Sequence, residues 1–476
     1  MFLSNRFSGT ICARSLRIHK SLLSTYSNVV IEMTERGLVS KYTSPDIIRT
    51  TDEPTTIYCG VDPTARSLHL GNLVTLMGLL HFHIRGHQTI ALVGGATGSI
   101  GDPSGRKSER IPLSRDILDE NVKGIESQIH RFFENGATYA EKRNFLKNSN
   151  HSMTTPKVLN NYNWFNSMTA IDFLSDVGRY ARVNTMLGKE SVKSRMETTQ
   201  GISFTEFSYQ LLQAYDFWYL YKHHGCRIQL GGNDQWGNIT AGIDMIARKR
   251  CSESNGNQVE DSMQSKAYGI TIPLLLTSNG EKFGKSAGNA IWLDEKMTSV
   301  FDLYQTFIRT TDDDVKKYLE MFTLLTKEQI KDIMVEHERL PEKHMAQKAL
   351  ADEATELIHG AMGLRKAQTA TQVLFGDSLD NLSGDHIIEA FRNDYNRFKR
   401  LPRSEVIGCS IDRLAAKTSA AKSKSDAQKK MKSGGLYFNN QRVSDYKQTV
   451  METDLIDGKV CVLRVGKASY FLIEAI

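Results

Sequence analysis

Short apolar strands that run directly into glycine-rich, charged loops recur along the chain, and this repetition narrows the fold more than any other feature. TIYCGVD (56–62) has strand composition and turns around Pro63. From Leu70 the apolar residues Leu70, Leu73, Val74, Met77, Leu80 and Ile84 keep helical spacing, and Gly86 is a helix stop. TIALV (89–93) is a second apolar strand. Strand, helix and strand make a βαβ unit, which implies a parallel sheet. CRIQLG (226–231), the loop GGNDQWGN (231–238) and the helical ITAGIDMIARKR repeat the pattern, and ITIPLLL (270–276) is a further strand before EKFGKS. Such sheets bind ligands beyond the carboxyl ends of their strands, where these loops fall. The expected class is α/β. A helical, polar insertion spans about 120–200, amphipathic helices fill 301–400, and 401–476 is a small α+β region.

The loop GGATGSIGDPSGRKSER (94–110) crowds glycines against Arg106, Lys107 and Arg110. It is not a P-loop. Arg106 stands where GxxxxGK[ST] needs its second glycine, and Pro103 removes an N–H from the cradle. The dinucleotide pattern GxGxxG is absent. Taken alone, the loop suits a phosphate contact or a turn with solvated charges.

The chain has 476 residues, 40% hydrophobic and 24% charged, an ordinary composition for a soluble protein of several domains. No run of 18 apolar residues occurs, so no membrane helix and no membrane partner is expected. None of the six cysteines forms a C-x-x-C pair, which argues against a zinc site or a disulfide framework. His81, His83 and His87 are spaced unsuitably for one metal, and no metal site is expected.

The net charge of +6 is uneven. Residues 1–31 hold Arg6, Arg14, Arg17 and Lys20 with no acid, the composition of a mitochondrial transit peptide. Residues 401–476 carry thirteen Lys/Arg against eight Asp/Glu, and the middle of the chain is slightly acidic. Lys422, Lys424, Lys429, Lys430 and Lys432 surround one short helix, followed by Gly434-Gly435 and the strand and turn LYFNNQRV. A basic helix and strand suit an RNA backbone.

HLGN (69–72) and KFGKS (282–286), in this order on an α/β scaffold, resemble the HIGH and KMSKS signatures of class I aminoacyl-tRNA synthetases. YCGVDPTARSLHLGN, the glycine loop, GISFTEFSYQLLQAYDF and GGNDQWGN resemble segments of tyrosyl-tRNA synthetases of bacterial and mitochondrial type, from about Ile31 to the C-terminus. The resemblance implies a Rossmann-like catalytic domain over 32–300, a helical anticodon-binding domain over 301–400 and an S4-like RNA-binding domain over 401–476. It implies activation of L-tyrosine by ATP, with Mg²⁺ accompanying the nucleotide, and transfer to tRNA(Tyr) by a homodimer in the mitochondrial matrix.

The resemblance also assigns roles. Thr64 and His69 hold the γ-phosphate, with Asn72 beside them. Lys282, Lys285 and Ser286 clamp the departing pyrophosphate, and Arg106 and Arg110 are further phosphate partners. Asp62, Gly71, Gly232 and Asp234 serve ATP, the last two at the ribose. Asp102, Tyr209 and Gln213 take the tyrosine ammonium, Gln235 the carboxyl group, and Tyr58 and Asp216 the phenol hydroxyl. A site that hydrogen-bonds a hydroxyl rejects the analogue lacking it, tyrosine against phenylalanine in this family being the standing example. Tyr58, Gln213 and Asp216 argue against the sister tryptophanyl family. Asn72 departs from the usual histidine and cannot become cationic. KFGKS keeps both lysines and the serine of its signature. The dimer surface is expected around 150–200, with Trp164, Phe165, Ile171, Phe173 and Leu174 available for contact.

Overall fold

The computed structural model describes residues 28–105, 108–143, 153–253, 265–280, 283, 285–286, 289–375, 379, 382–392, 394, 396–445, 447–466 and 469–476. The chain forms two compact units: Met1–Arg66, Gly71–Phe133 and Ala140–Phe283 in the first, and Ser67–Leu70, Glu134–Tyr139 and Gly284–Ile476 in the second.

The first unit is built on β1 (Lys41–Tyr42), β2 (Thr56–Val61), β3 (Gln88–Val93), β4 (Lys157–Asn160), β5 (Cys226–Gly232) and β6 (Tyr268–Ile272). The strand order is β1-β6-β5-β2-β3-β4. The pairs from β6 to β4 are parallel, and β1 runs antiparallel to β6. Every residue of β6 is buried, as are all of β3 but Gln88, the signature of a sheet covered on both faces. The helix Leu70–His83 forms where its apolar spacing places it, and Gly86 follows it at φ +83°.

Three boundaries differ from the sequence expectation. The strand expected over 270–276 runs over Tyr268–Ile272, because Pro273 has no N–H to continue the ladder. The segment 120–200 is not a plain helical insertion. It contains β4, an edge strand of the main sheet that pairs Ile90–Val93 with Lys157–Asn160. The folded part begins ahead of residue 31: Asn28 caps the helix Val29–Glu35 by accepting from Val30 N at 2.9 Å, and Val29 and Val30 are core residues. Residues 1–27, most of the expected transit peptide, lie outside the described residues.

The second unit opens with a small hairpin, β7 (Lys285–Ser286) against β8 (Asn289–Ala290). Helices Val300–Ile308, Asp312–Phe322, Lys327–Arg339, Met345–Phe375, which is broken at Gly360 (φ +71°), and Gly384–Phe391 follow. A five-stranded sheet closes the chain: β9 (Phe398–Leu401), β10 (Leu436–Phe438), β11 (Gln441–Arg442), β12 (Val460–Val465) and β13 (Ser469–Ala475), ordered β11-β10-β12-β13-β9. Asn439 and Asn440, both at positive φ, form the tight β10–β11 turn that LYFNNQRV foreshadowed. Because β9 is the edge strand beside β13, the small domain begins at Phe398 rather than 401. One sheet face packs on Val373, Ile387 and Phe391 of the helices, and the other on Ala427 and Met431 of the basic helix Lys424–Lys432.

Candidate active site

Four elements of the first unit deliver the tyrosine residues proposed from sequence. Tyr58 comes from β2 and Asp62 from the turn after it. Tyr209, Gln213 and Asp216 project from the helix Phe204–His224, at spacings that share one face. Asp234 and Gln235 lie in the turn Asn233–Gln235, which joins β5 to the helix Trp236–Glu253. Asp102 lies in the glycine loop. The Phe204–His224 helix is anchored at its start, where Ser203 caps Glu206 N and Arg195 donates twice to Glu206, each bond 2.9 Å and the pair buried.

Two hydrogen-bonded chains join all of these site residues except Tyr58. Tyr209 OH donates to Asp62 Oδ2 at 2.8 Å, and Thr97 Oγ1 donates to Asp62 Oδ1 at 2.7 Å. Asn161 Nδ2 donates to Thr97 Oγ1 and to Asp216 Oδ2, both at 3.0 Å. Trp164 Nε1 donates to Asp216 Oδ1 at 2.8 Å. In a second chain Gln235 Nε2 donates to Asp102 Oδ2 at 2.7 Å and to Asp234 Oδ2 at 3.1 Å. Asn238 Nδ2 donates to Gln235 Oε1 at 3.2 Å and to Gln213 Oε1 at 3.0 Å. Asp62, expected on the ATP side, is therefore bonded to Tyr209, expected at the tyrosine ammonium. Gln235, expected at the carboxyl group, is bonded to Asp102, expected at the ammonium.

Burial sets the electrostatics. Asp216 is not an exposed helix acid but is 3% exposed. Burial raises its pKa to about 8, against its two donors, and the Asp62 charge adds to the rise. Burial also raises Asp62 to about 6, opposed by the Thr97 and Tyr209 hydrogen bonds. The Tyr58 and Tyr209 hydroxyls are pushed well above the usual range, first by burial and then by these carboxylates. Tyr58 OH finds no partner among the described residues, and its ring packs on Phe217 at 5.3 Å. A buried hydroxyl left unpaired is costly, so this atom is suited to meet a polar group that enters the site.

The glycines of the loop are explained by close approach. A Cβ at Gly94 would stand 2.2 Å from Asp62 Oδ1 and 2.3 Å from Thr97 Oγ1. A Cβ at Gly232 would stand 2.5 Å from Asp234 Oδ1. Arg110 covers Gly101 and lowers the Asp62 pKa by its charge. Thr64 is exposed on the loop after β2.

In the second unit, Ser67–Leu70 lies against the residues that follow the β7–β8 hairpin. His69 bridges Trp292 in antiparallel fashion, with Leu70 N donating to Ile291 O at 3.0 Å and Leu293 N to Leu68 O at 2.8 Å. HLGN is thereby tied to the backbone that emerges from KFGKS. His69 and Asn72 are half-buried, and Gly71 is exposed. Lys285 and Ser286 lie on β7. Arg106 and Lys282 lie outside the described residues.

Asn161, Trp164, Thr97 and Asn238 were missed as site residues. Asn238 closes GGNDQWGN and Thr97 sits in the glycine loop, so their motifs could have flagged them. Trp164 corrects an expectation: it is buried, stacked on Tyr219 at 4.3 Å, and is not available for a subunit contact. Phe165 and Phe173 are half-buried against the same core, whereas Ile171 and Leu174 are exposed. Among the terminal lysines, Lys422, Lys429 and Lys432 are exposed; Lys430 pairs with Asp426 at 3.0 Å, and Lys424 lies 3.8 Å from Asp412.

Known proteins place this geometry. Residues 50–376 match the family model described as tRNA synthetases class I (W and Y), and residues 396–473 match the Tyrosine--tRNA ligase SYY-like C-terminal domain. The mitochondrial tyrosine–tRNA ligase of Saccharomyces cerevisiae is 40% identical over 97% of this chain and 91% of its own length. The tyrosine–tRNA ligase of Geobacillus kaustophilus is 41% identical over 94% of this chain and 99% of its own. The crystal structure of a C-terminally truncated mitochondrial tyrosyl-tRNA synthetase of Aspergillus nidulans superposes with a TM-score of 0.66 at 35% identity, covering 74% of this chain and 96% of that one. A parallel sheet, the HLGN and KFGKS segments, a buried acid on the Phe204–His224 helix and matches across nearly the whole length lead to one conclusion: the chain belongs to the class I aminoacyl-tRNA synthetases, in the tyrosine–tRNA ligase family.

Proposed function

We propose that the chain activates L-tyrosine with ATP and transfers it to tRNA(Tyr) in the mitochondrial matrix. A tyrosine carboxylate oxygen bonds to the α-phosphorus while the bond from that phosphorus to the bridging oxygen breaks, releasing pyrophosphate. The tRNA terminal hydroxyl then displaces AMP. Carboxylate is already a nucleophile, so the protein supplies position and charge. Asp102, Tyr209 and Gln213 receive the ammonium, Gln235 the carboxyl group, and Tyr58 and Asp216 the phenol. Asp62, Gly71, Gly232 and Asp234 receive the nucleotide. Thr64, His69, Asn72, Lys282, Lys285 and Ser286 face its phosphates. Mg²⁺ arrives as part of the MgATP substrate, held by phosphate oxygens.

The observation that carries this reading is the unpaired Tyr58 hydroxyl beside the buried acid Asp216. ATP–pyrophosphate exchange with each of the twenty amino acids tests it, with tyrosine expected to support exchange. Exchange with tryptophan in its place would overturn the reading.

The mitochondrial location is supported by the basic, acid-free stretch before Glu32 and by the name of the yeast relative. A homodimer is supported by Ile171 and Leu174, which are 78% and 61% exposed in the segment expected to carry the dimer surface. The exposed lysines of the terminal domain are read as RNA contacts. Replacing Lys422, Lys429 and Lys432 together by Gln is expected to weaken tRNA charging and lower its salt slope by about 2–3, with exchange unchanged. Unaltered charging across a salt titration would remove the basic helix from tRNA binding.

A further inference from the structure

We propose that the helix Arg115–Lys142 grips the loop Pro63–Arg66 through Asn121, Gly124 and Gln128, and that these three are positioning residues for the nucleotide half of the reaction. The proposal rests on the reading above that Thr64, at the centre of this loop, meets the ATP phosphates.

The loop leaves β2, and among the described residues its carbonyls have no strand partner. The two that bracket Thr64 are taken up by side chains of one helix. Asn121 Nδ2 donates to Pro63 O at 3.0 Å, and Gln128 Nε2 donates to Arg66 O at 3.1 Å. Both amides are 6% exposed. Between them lies Gly124, where a Cβ would stand 2.5 Å from Arg66 O and 3.2 Å from Arg66 Cγ. Positions 121, 124 and 128 share one helix face. On its other side Pro63 meets the glycine loop, where a Cβ at Gly98 would stand 2.9 Å from Pro63 Cδ.

Asparagine and glycine are poor helix formers, so helix propensity does not explain positions 121 and 124. Gln128 forms helix well, but a buried amide is unfavourable unless it is bonded, and the same holds for Asn121. What the three share is the loop backbone: the glycine lets it touch the helix, and the amides fix the carbonyls on either side of Thr64. The glycine position makes a shift of the loop unavoidable when a side chain is added, because the obstructed atom is backbone.

The test uses the full chain, with kcat and KM for ATP from pyrophosphate exchange and tyrosine affinity measured without ATP. Gly124→Ala removes the helix cost of glycine but sets a Cβ against backbone, so a thermal melt of each variant establishes that it is folded at the assay temperature. It is expected to lower kcat/KM for ATP by about 10-fold or more, as misplacement of a reacting group does, with tyrosine affinity within about 2-fold. Gln128→Met, which keeps the shape and removes the donor, is expected to act in the same direction. If Thr64→Ala lowers kcat/KM for ATP and Gly124→Ala does not, the grip is wrong. If Gly124→Ala weakens tyrosine and ATP equally, the helix has only a general structural role and the proposal is overturned. If Thr64→Ala itself is silent, the assignment of Thr64 falls, and the proposal with it.

Discussion

Asp216→Asn is expected to weaken tyrosine binding by about 1–3 kcal/mol and to shrink the preference for tyrosine over phenylalanine by a similar factor. Asp216 accepts from Trp164 on one oxygen and from Asn161 on the other. An amide at 216 turns one acceptor into a donor, and neither neighbour can adapt. The indole N–H is donor only. Asn161 cannot rotate freely, because its Oδ1 accepts from Ala96 N at 2.8 Å and its Nδ2 also serves Thr97. Equilibrium binding of tyrosine, and exchange with tyrosine and phenylalanine, measure the effect. An unchanged ratio would remove Asp216 from hydroxyl recognition.

The same substitution has a signature in pH. Asp62 at about 6 and Asp216 at about 8 are both raised by burial above the unfolded value of about 4. Such an acid stays protonated in the folded state while the unfolded chain has released its proton. Its contribution therefore opposes folding increasingly as pH rises from about 4 to its folded pKa, and levels off above it. Between pH 6 and 8 only Asp216 of the two still changes, so Asp216→Asn should flatten the fall of the thermal midpoint across that window.

Lys285→Ala is expected to lower kcat for adenylate formation by about 10²–10³-fold, the effect of removing one stabiliser of developing charge. Tyrosine affinity should stay nearly constant, because a cation that meets developing phosphate charge adds little to the binding of tyrosine alone. The β7–β8 hairpin leads straight to Ile291–Leu293, whose backbone holds Leu68–Leu70, so the lysine loop and His69 are parts of one construction. A cation there acts on the leaving pyrophosphate and so on the transition state more than on bound substrate. Single-turnover formation of tyrosyl-adenylate at saturating ATP separates the two effects. A kcat within about 2-fold of the parent would take Lys285 out of the clamp.

The parallel sheet was legible in the apolar runs TIYCGVD, TIALV and CRIQLG, because a strand buried on both faces has to be apolar throughout. The tight turn at Asn439–Asn440 was legible for a local reason too, since asparagine tolerates positive φ. The motifs named Tyr58, Asp62, Asp102, Tyr209, Gln213, Asp216, Asp234 and Gln235; the fold joins all but Tyr58 into two hydrogen-bonded chains within one unit and leaves the Tyr58 hydroxyl unpaired among the described residues. Local pattern did not show that β4 lies inside the helical segment, since a short edge strand of mixed burial carries no period of its own. Nor did it distinguish Trp164 from Ile171. Both are apolar residues of one stretch, yet one lies beneath Asp216 and the other faces outward. Residue identity determined which groups could bond, and the covalent order determined the strands. Which donor meets which carboxylate, and how deeply Asp216 is buried and so raised to about 8 against its donors, was decided by tertiary structure, because burial and partners come from segments far apart in the chain.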